Sequence, residues 1–208
     1  VNTMVQVSLV STSDRKKGVE KVINLLGINP VKDKEVILKP NFNTADPPPA
    51  STSMETLYAL VEKLKYLGAK SITIAERSGP ADTEETFRKK ELYKLAKELN
   101  VDIVNLAELP LEGYVHVKPE KSHWKNGFLF AKIFHNAECI VETMCLKTHK
   151  FGGHFTLSLK NAVGLVPRRN LDGNSYMNEL HSSKDQRKMI AEINAVYKPD
   201  LLIMDGVK

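Results

Sequence analysis

Along the first half of the chain, short apolar runs of strand length alternate with longer stretches whose apolar residues recur every three or four positions. Met4 to Val10 reads as an opening strand, followed by a helical stretch over Val19 to Leu26 that stops at Gly27. Glu35 to Lys39 is a second strand, ended by Pro40, whose ring fixes φ and removes a ladder donor. The loop Asn41 to Ala50 follows, kept extended by Pro47, Pro48 and Pro49. Thr52 and Glu55 form a capping box ahead of the periodic residues Leu57, Leu60, Val61, Leu64 and Leu67, and Gly68 closes that helix. Ser71 to Ala75 is a third strand, Asp82 with Glu85 opens a helix reaching about Leu99, and Val101 to Leu106 is a fourth strand. This alternation predicts an α/β fold with a mostly parallel, doubly wound-like sheet flanked by helices on both faces.

The rhythm then changes. Tyr114 to Lys118 and Gly127 to Ile133 are strand candidates with no helix between them, so a β-hairpin excursion is expected around 112–133, with its loop at Lys121 to Asn126. Cys139 to Met144 restores a buried strand. Ser183 and Gln186 cap a helix through about Tyr197, and Leu201 to Met204 is a final strand. The expectation is one α/β domain over 1–208. Asp205-Gly206 reads as the start of a loop rather than a terminus, so the chain is expected to be truncated at its C-terminus.

Composition narrows the class. At 208 residues, with 42% hydrophobic and 26% charged side chains, the chain has the balance of an ordinary globular domain. No apolar run approaches the roughly 18 to 20 residues that span a bilayer, and Val1 to Val10 has no export-signal pattern. A cytoplasmic location is therefore expected. In that compartment Cys139 and Cys145 are expected to be unpaired, with Cys139 a core residue. Two thiols are too few for a usual iron–sulphur cluster, so none is expected within this chain. The net charge is +5, but the lysines are interleaved with glutamates, as in Arg88-Lys89-Lys90-Glu91. That is a solvated helix face and argues against nucleic acid as a partner. Glycine-rich dinucleotide, Walker A and nucleophile-elbow patterns are absent.

Ligands of open parallel sheets bind beyond the carboxyl ends of the strands. The residues at those exits are Lys39 and Asn41, Glu76 and Arg77, Lys147 and His149, and Asp205. The densest signal is the loop after Met144. Leu146 to Leu171 holds Lys147, Lys150, Lys160, Arg168 and Arg169 with His149 and His154, and no Asp or Glu. These cations need an external anion, a distant acid or water, and Gly152-Gly153 lets backbone approach a ligand closely. The bland reading is a solvated basic loop. Against it, Phe151, Phe155, Leu157, Leu159, Val163 and Leu165 are costly to leave in water, so the segment is expected to dock. His149 and His154 could ligate a metal with His181 and Asp205, or each could instead face substrate. Glu142 lies in a strand as a buried partner for one of the lysines.

Several ordered runs carry a resemblance. Val36-Ile37-Leu38-Lys39-Pro40-Asn41-Phe42, the Glu76-Arg77 strand exit and Leu146-Lys147-Thr148-His149 resemble the domain-of-unknown-function 362 family. So do Leu159-Lys160-Asn161-Ala162-Val163-Gly164 and Lys198-Pro199-Asp200-Leu201-Leu202-Ile203-Met204-Asp205-Gly206. The resemblance implies an α/β domain often fused to, or encoded near, ferredoxin-like iron–sulphur modules, with members extending past the Asp-Gly pair; it supplies no established reaction.

Two functions are expected from these features. The first is an enzyme acting on a small anionic substrate, carboxylate or phosphate, in a Lys/His-rich cleft. There Lys147, His149 and His181 would be catalytic, and Lys39, Asn41, Lys160 and Asn161 would bind substrate. Glu76, Asp205 and His154 would hold a divalent metal if one takes part. The second is a non-catalytic cofactor-binding or docking module for an iron–sulphur electron-transfer partner, steered by positive charge.

Overall fold

The computed structural model describes residues 5–149 and 155–207. Its elements run α1 (Arg15–Leu26), β1 (Glu35–Lys39), α2 (Met54–Tyr66), β2 (Ser71–Glu76), α3 (Thr83–Lys89), α4 (Leu92–Leu99), β3 (Asp102–Asn105), β4 (Tyr114–Val117) and β5 (Phe128–Ala131). They continue with α5 (Lys132–His135), β6 (Cys139–Cys145), α6 (Ser158–Asn161), α7 (Tyr176–Ser182), α8 (Gln186–Asn194) and β7 (Leu201–Asp205). Five strands form a parallel sheet in the order β3-β2-β1-β6-β7, and β4 and β5 form a separate antiparallel pair. The mostly parallel sheet with a hairpin excursion is thus what the periodicity called for.

Strand alternation assigns the two faces of the sheet. Val36, Leu38, Ile72, Ile74, Cys139, Val141, Leu201 and Ile203 meet α1 to α4, through Val19, Leu57, Leu60, Leu64, Phe87 and Leu95 among others. Ile37, Ala75 and Ile140 meet the opposite layer, built from the hairpin, Phe134 of α5, Val163 and Leu165 after α6, Leu180 of α7 and Ile193 of α8. All seven residues of β6 are buried, as expected of a strand covered on both faces. Trp124, at 2% exposure, folds the hairpin loop back onto this second layer and donates from Nε1 to the Met189 carbonyl at 3.2 Å.

The elements differ from expectation where tertiary context outweighs local pattern. Residues 5–10 form no ladder, and Val5, Val7 and Leu9 stand exposed; Met4 lies outside the described residues. Alternation marks a segment able to pair, but a strand exists only where an edge receives it. The helix expected from Asp82 to Leu99 is broken at Glu91, whose φ of 53° is left-handed. Phe87 and Leu92 are both buried although they stand five apart, which in one straight helix would face them about 140° away from each other. The break lets both reach the core. Ser53 rather than Thr52 caps α2, accepting from the Glu55 N–H, because Thr52 Oγ1 instead binds the Asn41 N–H at 2.8 Å. Beyond Ala131 the chain turns into the short α5 instead of extending β5 to Ile133. α8 starts after Asp185 and ends at Asn194, and α6 and α7 were not signalled by the periodicity at all.

Asp205 closes the first layer. Its carboxylate accepts from Arg15 Nε at 2.9 Å, Thr56 Oγ1 at 2.7 Å and the Val207 N–H at 2.9 Å, tying β7 to α1 and α2. Its side chain is 4% exposed, so removing it strands a largely buried guanidinium and a hydroxyl. Asp205→Ala is expected to cost about 3 kcal/mol of unfolding free energy. Urea denaturation measures this, and a cost below about 1 kcal/mol would refute the assignment.

Candidate functional site

The sheet order reverses between β1 and β6. From β1 the chain winds outward to β2 and β3, and from β6 to β7 in the other direction. Such a switch point leaves a crevice at the strands' carboxyl ends, where the connections part to opposite sides. Four of the candidate segments converge there: the exits of β1, β2 and β6, and the α6 region.

At its floor lies a buried ion pair. Lys39 Nζ sits 2.7 Å from Glu76 Oε1, with the two side chains 1% and 2% exposed. The ammonium also donates to the Pro40 carbonyl and to Asn161 Oδ1, each at 3.2 Å, which uses all three of its protons. Glu76 receives the Arg77 N–H at 2.7 Å and the Phe42 N–H at 2.9 Å. Gly164 seals the pair: a Cβ there would come within 3.0 Å of Lys39 Nζ and 3.1 Å of Glu76 Oε1, so only glycine allows this approach without displacing them.

From this floor a line of amides leads outward. Asn161 Oδ1 accepts from Lys39 and, at 3.3 Å, from Asn41 Nδ2, which leaves Asn161 Nδ2 facing Glu142 Oε2 at 3.4 Å. Asn41 Oδ1 then accepts from Lys147 Nζ at 2.6 Å, and Lys147 also donates to the Ala50 carbonyl. An ammonium can only donate, so Lys39 at one end and Lys147 at the other dictate which way both amides face. Behind Asn161, the Tyr197 hydroxyl donates to Glu142 Oε1 at 2.6 Å. Burial holds the Glu142 carboxyl above its ordinary range and pushes the Tyr197 phenol up as well.

The rim is cationic. Lys147, His149 and Lys160 are half-buried. Burial lowers the pKa of Lys147, and it lowers that of Lys160 with help from Arg77 and Lys147. His149 is lowered first by burial and then by Lys160, His181 and Lys147. Lys160 thus lies within electrostatic reach of Arg77 and Lys147, and His149 within reach of Lys160, His181 and Lys147. Arg77, 4% exposed, donates to the Ser78 carbonyl at 3.0 Å and the Val163 carbonyl at 2.8 Å, while its buried Nε has no acceptor among the described residues. None of the ion pairs among the described residues includes Lys147, Lys160 or Arg77.

Of the residues singled out in the sequence, Lys39, Asn41, Glu76, Lys147 and Asn161 join one hydrogen-bonded network. Lys160, His149 and the exposed His181 border it. Lys39 spends its three protons on Glu76, Asn161 and the Pro40 carbonyl, and Glu76 also accepts from the Phe42 and Arg77 N–H groups. Asp205 does not face the loop as expected. Alternation along β7 turns it with Leu201 and Ile203 toward the opposite layer, to Arg15 and Thr56. His154 lies outside the described residues, and among those described no group of three or more His, Cys, Asp or Glu side chains could hold a metal ion. Docking of the loop is partial: Val163 and Leu165 are buried, whereas Phe155 and Leu159 stay exposed. Glu142 was legible as an acid in an apolar strand, but its partners are Tyr197 and Asn161. Tyr197 gave no signal of its own.

Because the folded chain binds the Glu142 proton more tightly than the unfolded chain, stability is lost as pH rises from the ordinary carboxylate range toward the raised folded value. Glu142→Gln removes that loss. Its unfolding free energy relative to the unsubstituted protein is expected to improve between about pH 4 and pH 8, as read by urea denaturation at both ends. A pH-independent difference would show that Glu142 does not titrate in this window.

No curated protein matches the chain significantly in sequence. A crystal structure of a Thermotoga maritima protein is similar at TM-score 0.61 and 15% identity, covering 94% of this chain and 52% of its own. The structure of the lactate racemase apoprotein from Thermoanaerobacterium thermosaccharolyticum is similar at TM-score 0.58 and 15% identity, covering 96% of this chain and 51% of its own. At that identity the likeness shows the fold, and the chain spans about half the length of either protein. The model of the family described as domain of unknown function (DUF362) matches residues 36–208, and the chain belongs to that family.

Proposed function

We propose that the crevice between β1 and β6 binds a small anionic substrate and moves a proton on it. One observation carries the reading: two half-buried lysines, Lys147 and Lys160, converge at a switch point, and neither takes part in an ion pair among the described residues. Leaving such charges uncompensated in a partly dry site is costly, and an incoming carboxylate or phosphate removes that cost. Lys147, aimed by Asn41, and Lys160 would bind the anion. His149, its pKa lowered by burial and by the surrounding cations, is neutral near pH 7 and suited to accept a proton. Lys39, Glu76 and Asn161 would hold the amide line in place from below. The likeness in fold to a lactate racemase apoprotein supports a carboxylate as one member of the substrate class.

The test is a panel of small hydroxycarboxylates and phosphates incubated with the protein in D₂O, followed by NMR for exchange of carbon-bound protons, with binding read by calorimetry. Lys147→Ala is expected to weaken anion binding by about tenfold or more. His149→Ala is expected to slow exchange by about a hundredfold or more while the anion still binds. Exchange should fall as pH drops through the His149 pKa, below the ordinary histidine value, since protonation removes the base. It should fall again as pH rises into a range below that of ordinary lysines, where Lys147 and Lys160 lose charge. If both substitutions left binding and exchange unchanged, the proposal would be lost.

A further inference from the structure

We infer that the anion this site takes is a compact dianion, a phosphate monoester or a dicarboxylate, a reading that rests on the anion site proposed above. The geometry beneath the crevice sorts the charges into those already balanced and those left over. Lys39 and Glu76 cancel each other at 2.7 Å below the surface. Glu142, fully buried and bonded to the Tyr197 hydroxyl, is three residues inside β6 and forms no ion pair among the described residues. Lys147, Lys160 and Arg77 remain. Lys147 is held by two neutral acceptors, Asn41 Oδ1 and the Ala50 carbonyl. Arg77 is held by two carbonyls and keeps a buried Nε without an acceptor among the described residues. Lys160, one residue from Asn161 in the amide line, forms no ion pair among the described residues.

None of the ion pairs among the described residues makes up the difference. Residues 150–154, outside the described set, read Lys-Phe-Gly-Gly-His and contain no carboxylate, and every Asp and Glu of the sequence lies among the described residues. The excess therefore exceeds one positive charge. A monocarboxylate brings a single charge, enough for one of the two lysines, and leaves the other beside Lys147 or Arg77 with its repulsion intact. A phosphate monoester carries about −1.5 to −2 near pH 7 and three acceptor oxygens, so it can engage both lysines together. A dicarboxylate offers the same charge from two ends.

Calorimetric titration of the whole chain at pH 7.5 with inorganic phosphate, malonate, acetate and lactate tests this. Phosphate or malonate is expected to bind at least about tenfold more tightly than acetate or lactate. Lys160→Gln is expected to narrow that gap to about threefold or less, its fold checked by near-ultraviolet circular dichroism. Preference for phosphate over malonate identifies the phosphate member of the class, and the reverse order the dicarboxylate. Acetate or lactate binding within about threefold of both dianions would overturn the dianion inference and leave the anion site standing. Failure of all four to bind would overturn the site itself, and this inference with it. The comparison among ligands on the unsubstituted protein decides the matter even if Lys160→Gln does not fold.

Discussion

The buried Lys39–Glu76 pair is the constraint around which the rest of the crevice is arranged. Two charges taken out of water between the ends of β1 and β2 are tolerable only if every remaining donor and acceptor is satisfied. Each partner near the pair meets part of that requirement. The Phe42 and Arg77 N–H groups bind Glu76, fixing the chain as it leaves both strands. Pro40 and Asn161 take the other two ammonium protons, bringing α6 down onto β1. Gly164 supplies the cover, since its lack of a side chain lets backbone lie against the pair. A pair of this kind gives little net stability; what it supplies is one defined arrangement of the groups bonded to it.

That arrangement is transmitted outward by hydrogen-bond polarity rather than by packing. Asn161 and Asn41 each have an oxygen side and a nitrogen side, and flanking ammonium groups leave one orientation for each. Lys147 is thereby presented at the rim by a network whose other end is fully buried. The contrast between floor and rim is electrostatic. The floor is neutralised internally, whereas the rim gathers Lys147, Lys160, Arg77 and His149 with lowered pKa values and no carboxylate. Desolvation depresses all four pKa values, and neighbouring cations add to it at Lys160, His149 and Arg77, the condition often found at functional sites.

Much of this was legible in the chain itself. Apolar alternation at β1, β2 and β6, with proline after β1 and capping residues before α2 and α3, determined a parallel sheet with helical crossovers, because those signals are local. The acid-free stretch from Leu146 to Leu171 determined an excess of positive charge, and the strand-exit rule pointed to Lys39, Asn41, Glu76 and Lys147 together. The sequence could also mark Glu142 as out of place among apolar neighbours.

Only the tertiary structure decided which of these groups face one another. Lys39 reads from the sequence as a lone strand-exit lysine, and only the fold pairs it with Glu76, 37 positions away. Asp205 leaves the site because alternation along β7 turns it toward Arg15, 190 positions distant. Tyr197 enters it with no motif of its own, and residues 5–10 stay unpaired despite a strand-like pattern. Local patterns encode what a segment can form, through steric and periodic rules acting over a few residues. Partners far apart in sequence are chosen by the sheet order, and no local pattern records that choice.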